Sequence, residues 1–471
     1  MRGGLHGLPA RRAARRLLRR ERGLAGQGRG PALLRQPVRA RRGRARHHDQ
    51  RSGLPAGSGA LGPELGLPGG RRIGGGPARG GRARLPGSAG GALVVNRLPV
   101  IGITCYPTAG GSGIVASELG LNLARRGYEV HFITDAMPVR LQRYERNIFF
   151  HQVEAVSYPV FRHTPYTLAL ATKMCEVARH HALDVLHVHY AIPHAASAYL
   201  ARSMLGRDKI SMITTLHGTD ITLVGQEPSY FEMTRFLIAQ SDAVTAVSQS
   251  LRDETCRVFG CENEIQMIPN FVDPRRFRPR DDLDRGDYAG PDEKLVLHAS
   301  NFRAVKNIPH VLRIFAGITA AVPSRLLLLG EGPERGPAER LAAELGVGDR
   351  VTFLGQVENL EDLLALADLS LLPSQHESFG LVALESMACG TPVIATNVGG
   401  TAEFIESGHN SYLCDPDDIA SWVETATRLL RDEPLYRQIA DDGLRDAVAR
   451  FGTPCVIQQY VQLYDRVLAE R

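Results

Sequence analysis

From Pro99 to the C-terminus, short apolar runs alternate with longer stretches in which apolar residues recur every three or four positions. Val100-Ile101-Gly102-Ile103-Thr104 predicts a buried strand, followed by a loop carrying Gly110, Gly111 and Gly113. Val115, Leu119 and Leu123 then mark a helix, with Gly127 where a left-handed C-terminal residue belongs. Glu129–Thr134, Asp184–Val188, Ser211–Leu216 and Asp242–Val247 predict further strands. This rhythm implies an α/β fold with a parallel sheet and helices on both faces.

The pattern breaks at Asp273–Asp292, rich in Pro, Arg and Asp and without periodicity, and then resumes. Leu295–His298, Arg325–Leu329, Val351–Leu354, Leu369–Leu372 and Pro392–Thr396 predict a second set of strands, with a helix over Ile308–Ala321. Two Rossmann-like, doubly wound domains therefore follow one another, 95–280 and 281–454. In each, the loops at the carboxyl ends of the strands face a shared cleft. A last helix, Val456–Leu468 within 455–471, closes the chain.

Composition changes the picture at one end. Residues 1–94 hold 21 Arg, no Lys and three acids, a net +18, so the other residues carry −12 of the overall +6. The Arg/Gly/Pro-rich stretch has few β-branched or aromatic residues and no sustained periodicity, and it is expected to be a disordered extension. A start codon placed too far upstream and an Arg-rich transit peptide are the other readings. An acidic body argues against nucleic acid as a partner, and no run of 18 apolar residues predicts a membrane span. Seven cysteines without a C-x-x-C spacing are expected to be reduced thiols in a cytoplasmic protein.

Chemistry concentrates in Pro373–Gly390, PSQHESFGLVALESMACG. Glu377 and Glu385 lie eight residues apart, with Phe379-Gly380-Leu381 between them at a helix start. Free N–H groups and the positive end of the helix dipole suit a phosphate there. Glu385, two turns on, is placed to accept from vicinal hydroxyls such as those of a ribose. Upstream, Arg303 and Lys306 follow the first strand of the second domain, three residues apart. Cations oppose the dipole at a helix start, so an anion such as a departing diphosphate explains them. Gly330-Glu331-Gly332-Pro333 makes a tight turn at a strand end, read either as a plain turn or as a contact of Glu331 with the nucleotide.

In the first domain, Gly111-Ser112-Gly113-Ile114-Val115-Ala116 fits G-x-G-x-x-A after a strand. It permits a dinucleotide site or a glycine loop facing a diphosphate across the cleft. His217 follows an apolar strand beside Gly218, able to reach a substrate hydroxyl or to cap the turn. His187, His189 and His194 lack an acidic or thiol partner at metal-ligand spacing, so no metal is expected.

Together these segments resemble the retaining GT-B glycosyltransferases of family 4, the large family that includes the sucrose-phosphate and mycothiol glycosyltransferases. The likeness runs from about residue 97 to the C-terminus through Ile101–Pro107, His187–Ala195, Thr214–Thr222, Ser300–Arg303, ESFG and MACG. It is strongest to the branch that carries N-acetylglucosamine from UDP-N-acetylglucosamine to L-malate in bacillithiol biosynthesis. The resemblance implies a GT-B fold in which the first domain takes the acceptor and receives the last helix, and the second takes the UDP-sugar. Glu385 would hold the ribose and Glu377 the sugar, with Phe379, Gly380, Leu381 and Glu331 nearby. Arg303, Lys306 and the Gly111 amide would steady the leaving diphosphate, and His217 would contact the donor sugar. Ser112, Tyr190, Thr215 and Asn301 would meet malate. It further implies front-side attack with retention, no metal or other cofactor, and a homo-oligomer.

A UDP-sugar epimerase of the same architecture, a Rossmann oxidoreductase, and a nucleic-acid binder acting through residues 1–94 are the competing classes.

Overall fold

The computed structural model describes residues 97–471, apart from 109, 157–159, 161 and 262. The expectations for residues 1–94 lie outside the described residues. Two all-parallel sheets account for the strands. The first has seven, in the order β3-β2-β1-β4-β5-β6-β7. These are β1 Val100–Thr104, β2 Glu129–Thr134, β3 Ile148–Gln152, β4 Val185–His189, β5 Ser211–Leu216, β6 Ala243–Ala246 and β7 Ile265–Met267. The second has six, in the order β10-β9-β8-β11-β12-β13. These are β8 Lys294–Ala299, β9 Ser324–Leu329, β10 Val351–Gly355, β11 Leu369–Leu372, β12 Val393–Thr396 and β13 Tyr412–Cys414. The order reverses beside β1 and β8, so each sheet has its crevice at the carboxyl ends of its central strands.

Every residue of β1, β4 and β5 is buried. Helices cover both faces of a parallel sheet, which is why these strands read as continuous apolar runs rather than as alternation. Short strands β3, β7 and β13 escaped the sequence reading. β3 and β7 are edge strands of mixed burial, β13 has three residues, and none offers a sustained apolar run.

The two sheets belong to one compact unit. The helix Thr453–Ala469 packs on the first sheet, with Val456, Ile457, Tyr460, Leu463 and Tyr464 in one core cluster with Ile101, Ile103, Leu119 and Phe132. Its Tyr464 hydroxyl meets His187 Nδ1 at 2.8 Å. The chain crosses between halves where the Thr453 amide donates to the Val272 carbonyl at 2.9 Å.

The cysteines need one correction. Cys256 and Cys261 are paired as a disulfide with Cα atoms 4.7 Å apart, against the expectation of reduced thiols throughout. Gly260, at φ +67°, turns the chain back at the end of the helix Gln249–Phe259 and brings the two together. Cys105, Cys175, Cys389, Cys414 and Cys455 are free. Among the described residues, no helix is long and apolar enough to cross a membrane.

If the last helix completes the first core, Leu463→Ala should lower the unfolding free energy by about 2–5 kcal/mol. Urea denaturation reads this directly, and a loss well under 1 kcal/mol would mean that the helix adds little to that core.

Candidate active site

The carboxyl ends of β8, β9, β11 and β12 build one wall. After β8, Lys306 Nζ donates to Glu377 Oε2 at 2.7 Å, joining the basic loop to the ESFG loop. Arg303 is exposed and makes no salt bridge among the described residues. The GEGP turn after β9 leans on the same loop, with the Phe302 amide donating to the Glu331 carbonyl at 3.0 Å. The side chain of Glu331 is engaged with Arg335, and Asn301 stands exposed.

The ESFG loop is held from behind by Gly399-Gly400-Thr401, after β12. The Gly400 amide donates to the Glu377 carbonyl at 2.9 Å. A Cβ on Gly399 would lie 2.1 Å from that carbonyl oxygen, so no larger residue fits. Gly380 then caps the helix Leu381–Ala388 at φ +92°. Phe379 is buried against Phe404, with ring centroids 5.2 Å apart. Glu385, on the second turn, is only 3% exposed.

Burial pushes the Glu385 carboxyl up to about 8, with Arg140 and Arg276 pulling it down and Glu118 and Glu361 pushing it up. Arg276 bonds Glu361 at 2.9 Å, and Arg140 sits 3.7 Å from Glu118. These groups join the two halves. They set two cations against three carboxyls, so Glu385, the deepest, is the one that keeps its proton near neutrality.

The opposite wall comes from β1, β4 and β5. Gly111 opens the helix Gly111–Arg125, and among the described residues no atom beyond its chain neighbours and its own helix lies within 4 Å of where its Cβ would be. Tyr190 stands at φ +91°, a conformation that non-glycine residues rarely adopt, with its amide on the Thr215 carbonyl at 2.9 Å. Such outliers cluster at functional sites. Its ring lies 5.6 Å from that of His217, and Ser112 and Thr219 neighbour its hydroxyl.

His217 Nε2 meets His189 Nδ1 at 2.8 Å, and burial pushes His217 down to about 3. It is thus a neutral imidazole, suited to hydrogen bonding rather than to charge. Asp220 holds this turn by accepting from the amides of Ala191 at 3.0 Å, His217 at 3.2 Å and Gly218 at 2.9 Å. Burial lifts its carboxyl to about 6, and the three amides oppose the rise.

The walls touch. A Cβ on Gly218, at φ +117°, would fall 1.7 Å from Ser378 Oγ, so the turn after β5 packs directly on the ESFG loop. Glu403 reaches across to the amides of Gln249 at 2.8 Å and Ser250 at 2.6 Å.

Gly111, Ser112, Tyr190 and His217 thus lie on one wall, and Arg303, Lys306, Glu377, Phe379, Gly380, Leu381 and Glu385 on the other. Thr215 is not with them at the surface. It is fully buried, and its hydroxyl is occupied by His187 at 2.7 Å and Thr245 at 2.7 Å. Asp220, Gly399, Arg140, Arg276 and Glu403 were missed by the sequence reading. Only Asp220, two residues beyond the His217-Gly218 pair, carried any local signal.

Paired Rossmann-like halves, with a basic loop and a carboxylate-flanked helix start on one wall of the cleft, define a GT-B glycosyltransferase. The comparisons with known proteins agree. Residues 281–445 match the family described as glycosyl transferases group 1, and residues 109–276 match Glycosyltransferase Family 4. The chain is 48% identical over 372 residues to a Bacillus anthracis protein named N-acetyl-alpha-D-glucosaminyl L-malate synthase, covering 79% of this chain and 97% of that one. It is 31% identical to a D-inositol 3-phosphate glycosyltransferase of Stackebrandtia nassauensis, covering 73% of this chain and 84% of that one. Among solved structures, Anabaena HepE in complex with UDP and glucose superposes with a TM-score of 0.68 at 19% identity. That match covers 78% of this chain and 100% of the other. The sucrose-phosphate synthase of Thermosynechococcus elongatus superposes at 0.67 and 24%, covering 79% and 100%. The chain belongs to the GT-B glycosyltransferases of family 4.

Asp220 offers a test of how the acceptor-side wall is held. Asp220→Asn keeps its volume but turns one acceptor into a donor facing buried amides. It should cost about 1–3 kcal/mol of stability and lower turnover. Chemical denaturation and initial rates measured together would show it, and an unchanged midpoint would mean that the turn holds itself.

Proposed function

We propose that this enzyme transfers N-acetylglucosamine from UDP-N-acetylglucosamine to the hydroxyl of L-malate, with retention at the anomeric carbon, as the first step of bacillithiol biosynthesis. The observation that carries this reading is the 48% identity, over almost the whole of its length, to a protein named for the product. The geometry is compatible. The donor's ribose lies on Glu385 and its sugar on Glu377, whose partner Lys306 then turns to the diphosphate with Arg303. Leu381 opens the helix beneath them. Two cations and the Gly111 amide oppose the charge that develops on the leaving group, the main electrostatic task of the reaction.

Malate lies against Ser112, Tyr190 and Asn301, and Arg303 is the cation nearest its carboxylates. The acceptor hydroxyl attacks from the face that the diphosphate leaves. The departing phosphate oxygen takes the hydroxyl proton, so no protein base is needed and neutral His217 serves as a hydrogen-bonding partner to the sugar. The cations do the neutralising that a metal would otherwise do. The direct packing of Gly218 on Ser378 keeps water from the reacting carbon when the cleft is shut. The enzyme works in the cytoplasm as a homo-oligomer, a reading supported by exposed Tyr230, Met233 and Phe236 along one helical segment.

Full-length protein in EDTA should release UDP from UDP-N-acetylglucosamine when L-malate is added and not when inositol phosphate replaces it. Release with inositol phosphate alone would keep the transferase and discard malate. UDP-sugar turnover without any acceptor would favour an epimerase or hydrolase.

The proton on Glu385 gives a second test. Its folded value of about 8 lies above the ordinary glutamate value of 4.5, so the group is protonated at pH 7. Ribose hydroxyls donate to the carboxylate and favour its charged form. UDP binding at pH 7 should therefore release up to about one proton, and affinity should rise between pH 6 and 8. Calorimetry in buffers of different ionisation enthalpy measures this, and proton uptake would contradict the assignment.

A further inference from the structure

Away from the cleft, three histidines from three elements meet at the edge of the first sheet. His131 lies in β2, His151 in the edge strand β3, and His181 ends the helix Tyr166–His181. That helix leads back toward the start of β4, so its last residue lies at the end of the sheet opposite the cleft. One nitrogen from each imidazole falls within 4.8 Å of the other two. His131 Nδ1 is 2.8 Å from His151 Nε2, and the rings of His131 and His181 are 4.4 Å apart.

We propose that this cluster is a structural site for a divalent transition metal, zinc above all, that fastens β3 and the helix Tyr166–His181 to β2.

Three features support a ligand rather than a histidine stack. First, His131 is fully buried and its Nε2 meets Glu129 Oε1 at 2.8 Å. A carboxylate accepting from Nε2–H leaves the Nδ1 lone pair facing the other two rings, the arrangement that orients a metal-binding histidine. Second, the rings crowd together from three separate elements, those of His151 and His181 with centroids 5.2 Å apart. Third, the neighbouring Lys173 is paired with Glu176 at 2.9 Å, which offsets its repulsion of a cation.

Zinc–nitrogen bonds of about 2.0–2.1 Å require the rings to rotate so that the three nitrogens converge on one point. His151 moves its proton from Nε2 to Nδ1 as Nε2 turns to the metal, so no proton is lost. The fourth position falls to water. Three imidazoles, with no thiolate or carboxylate ligand beside them among the described residues, suit zinc, nickel or copper rather than magnesium or calcium. The spacing of these residues, twenty and thirty apart in the chain, gave no sequence signal.

Tag-free, full-length protein should be stripped with chelator and titrated with Zn2+ and Co2+, alongside the His151→Gln/His181→Gln variant. Both substitutions lie toward the rim of the cluster, which spares the buried His131. The expected result is one tight Zn2+ per chain and a higher melting temperature with metal. Co2+ should give a ligand-field spectrum without a sulfur charge-transfer band. The variant should bind at least ten-fold more weakly and lose the thermal shift. Equal binding by wild type and variant, a thiolate band, or no saturable binding would overturn the site.

Discussion

The structure depends on one close approach. The turn after β5 and the ESFG loop after β11 come so near that a methyl group on Gly218 would overlap Ser378. Two sheets with independent crevices become one active site only because their loops can meet there without side chains between them. Much else sustains this approach. Asp220 draws three amides together to shape the β5 turn, Gly399 and Gly400 back the ESFG loop, and Glu403 caps the helix Gln249–Phe259 from the other half.

Electrostatics divides the labour between the walls. The first wall is almost free of charge at its working surface, for its histidines are desolvated and neutral and Asp220 is committed to backbone amides. The second carries the cations Arg303 and Lys306 beside the helix start. An anionic nucleotide is favoured on the second wall, and a sugar or hydroxylated acceptor can be held by hydrogen bonds on the first. Between them, the cluster of Glu118, Arg140, Arg276, Glu361 and Glu385 keeps one carboxyl protonated near neutrality.

Much of this was legible in the sequence, where the physics is local. Continuous apolar runs flanked by helical periodicity exposed the buried parallel strands, and the break at Asp273–Asp292 separated the two sheets. The glutamate spacing around Phe379-Gly380-Leu381 and the Arg303/Lys306 pair sit on single loops and were read from single segments. What escaped is non-local. Gly399 matters because of a carbonyl twenty-two residues earlier, and Arg140 matters through carboxylates on other elements. The family resemblance implied Thr215 as a contact of the acceptor. Its position in β5 instead turns the hydroxyl to His187 and Thr245. Cys256 and Cys261 pair through the turn at Gly260, which their spacing alone did not disclose.

The central claim is that the nucleotide belongs to the second half, and that the glycine loop of the first half faces it rather than holding a dinucleotide of its own. Calorimetric titration with UDP of the wild type, Glu385→Ala and Ser112→Ala tests it most directly. The account predicts that Glu385→Ala loses at least ten-fold in UDP affinity while Ser112→Ala binds as the wild type does. The reverse pattern would place the nucleotide on the first half and contradict the account.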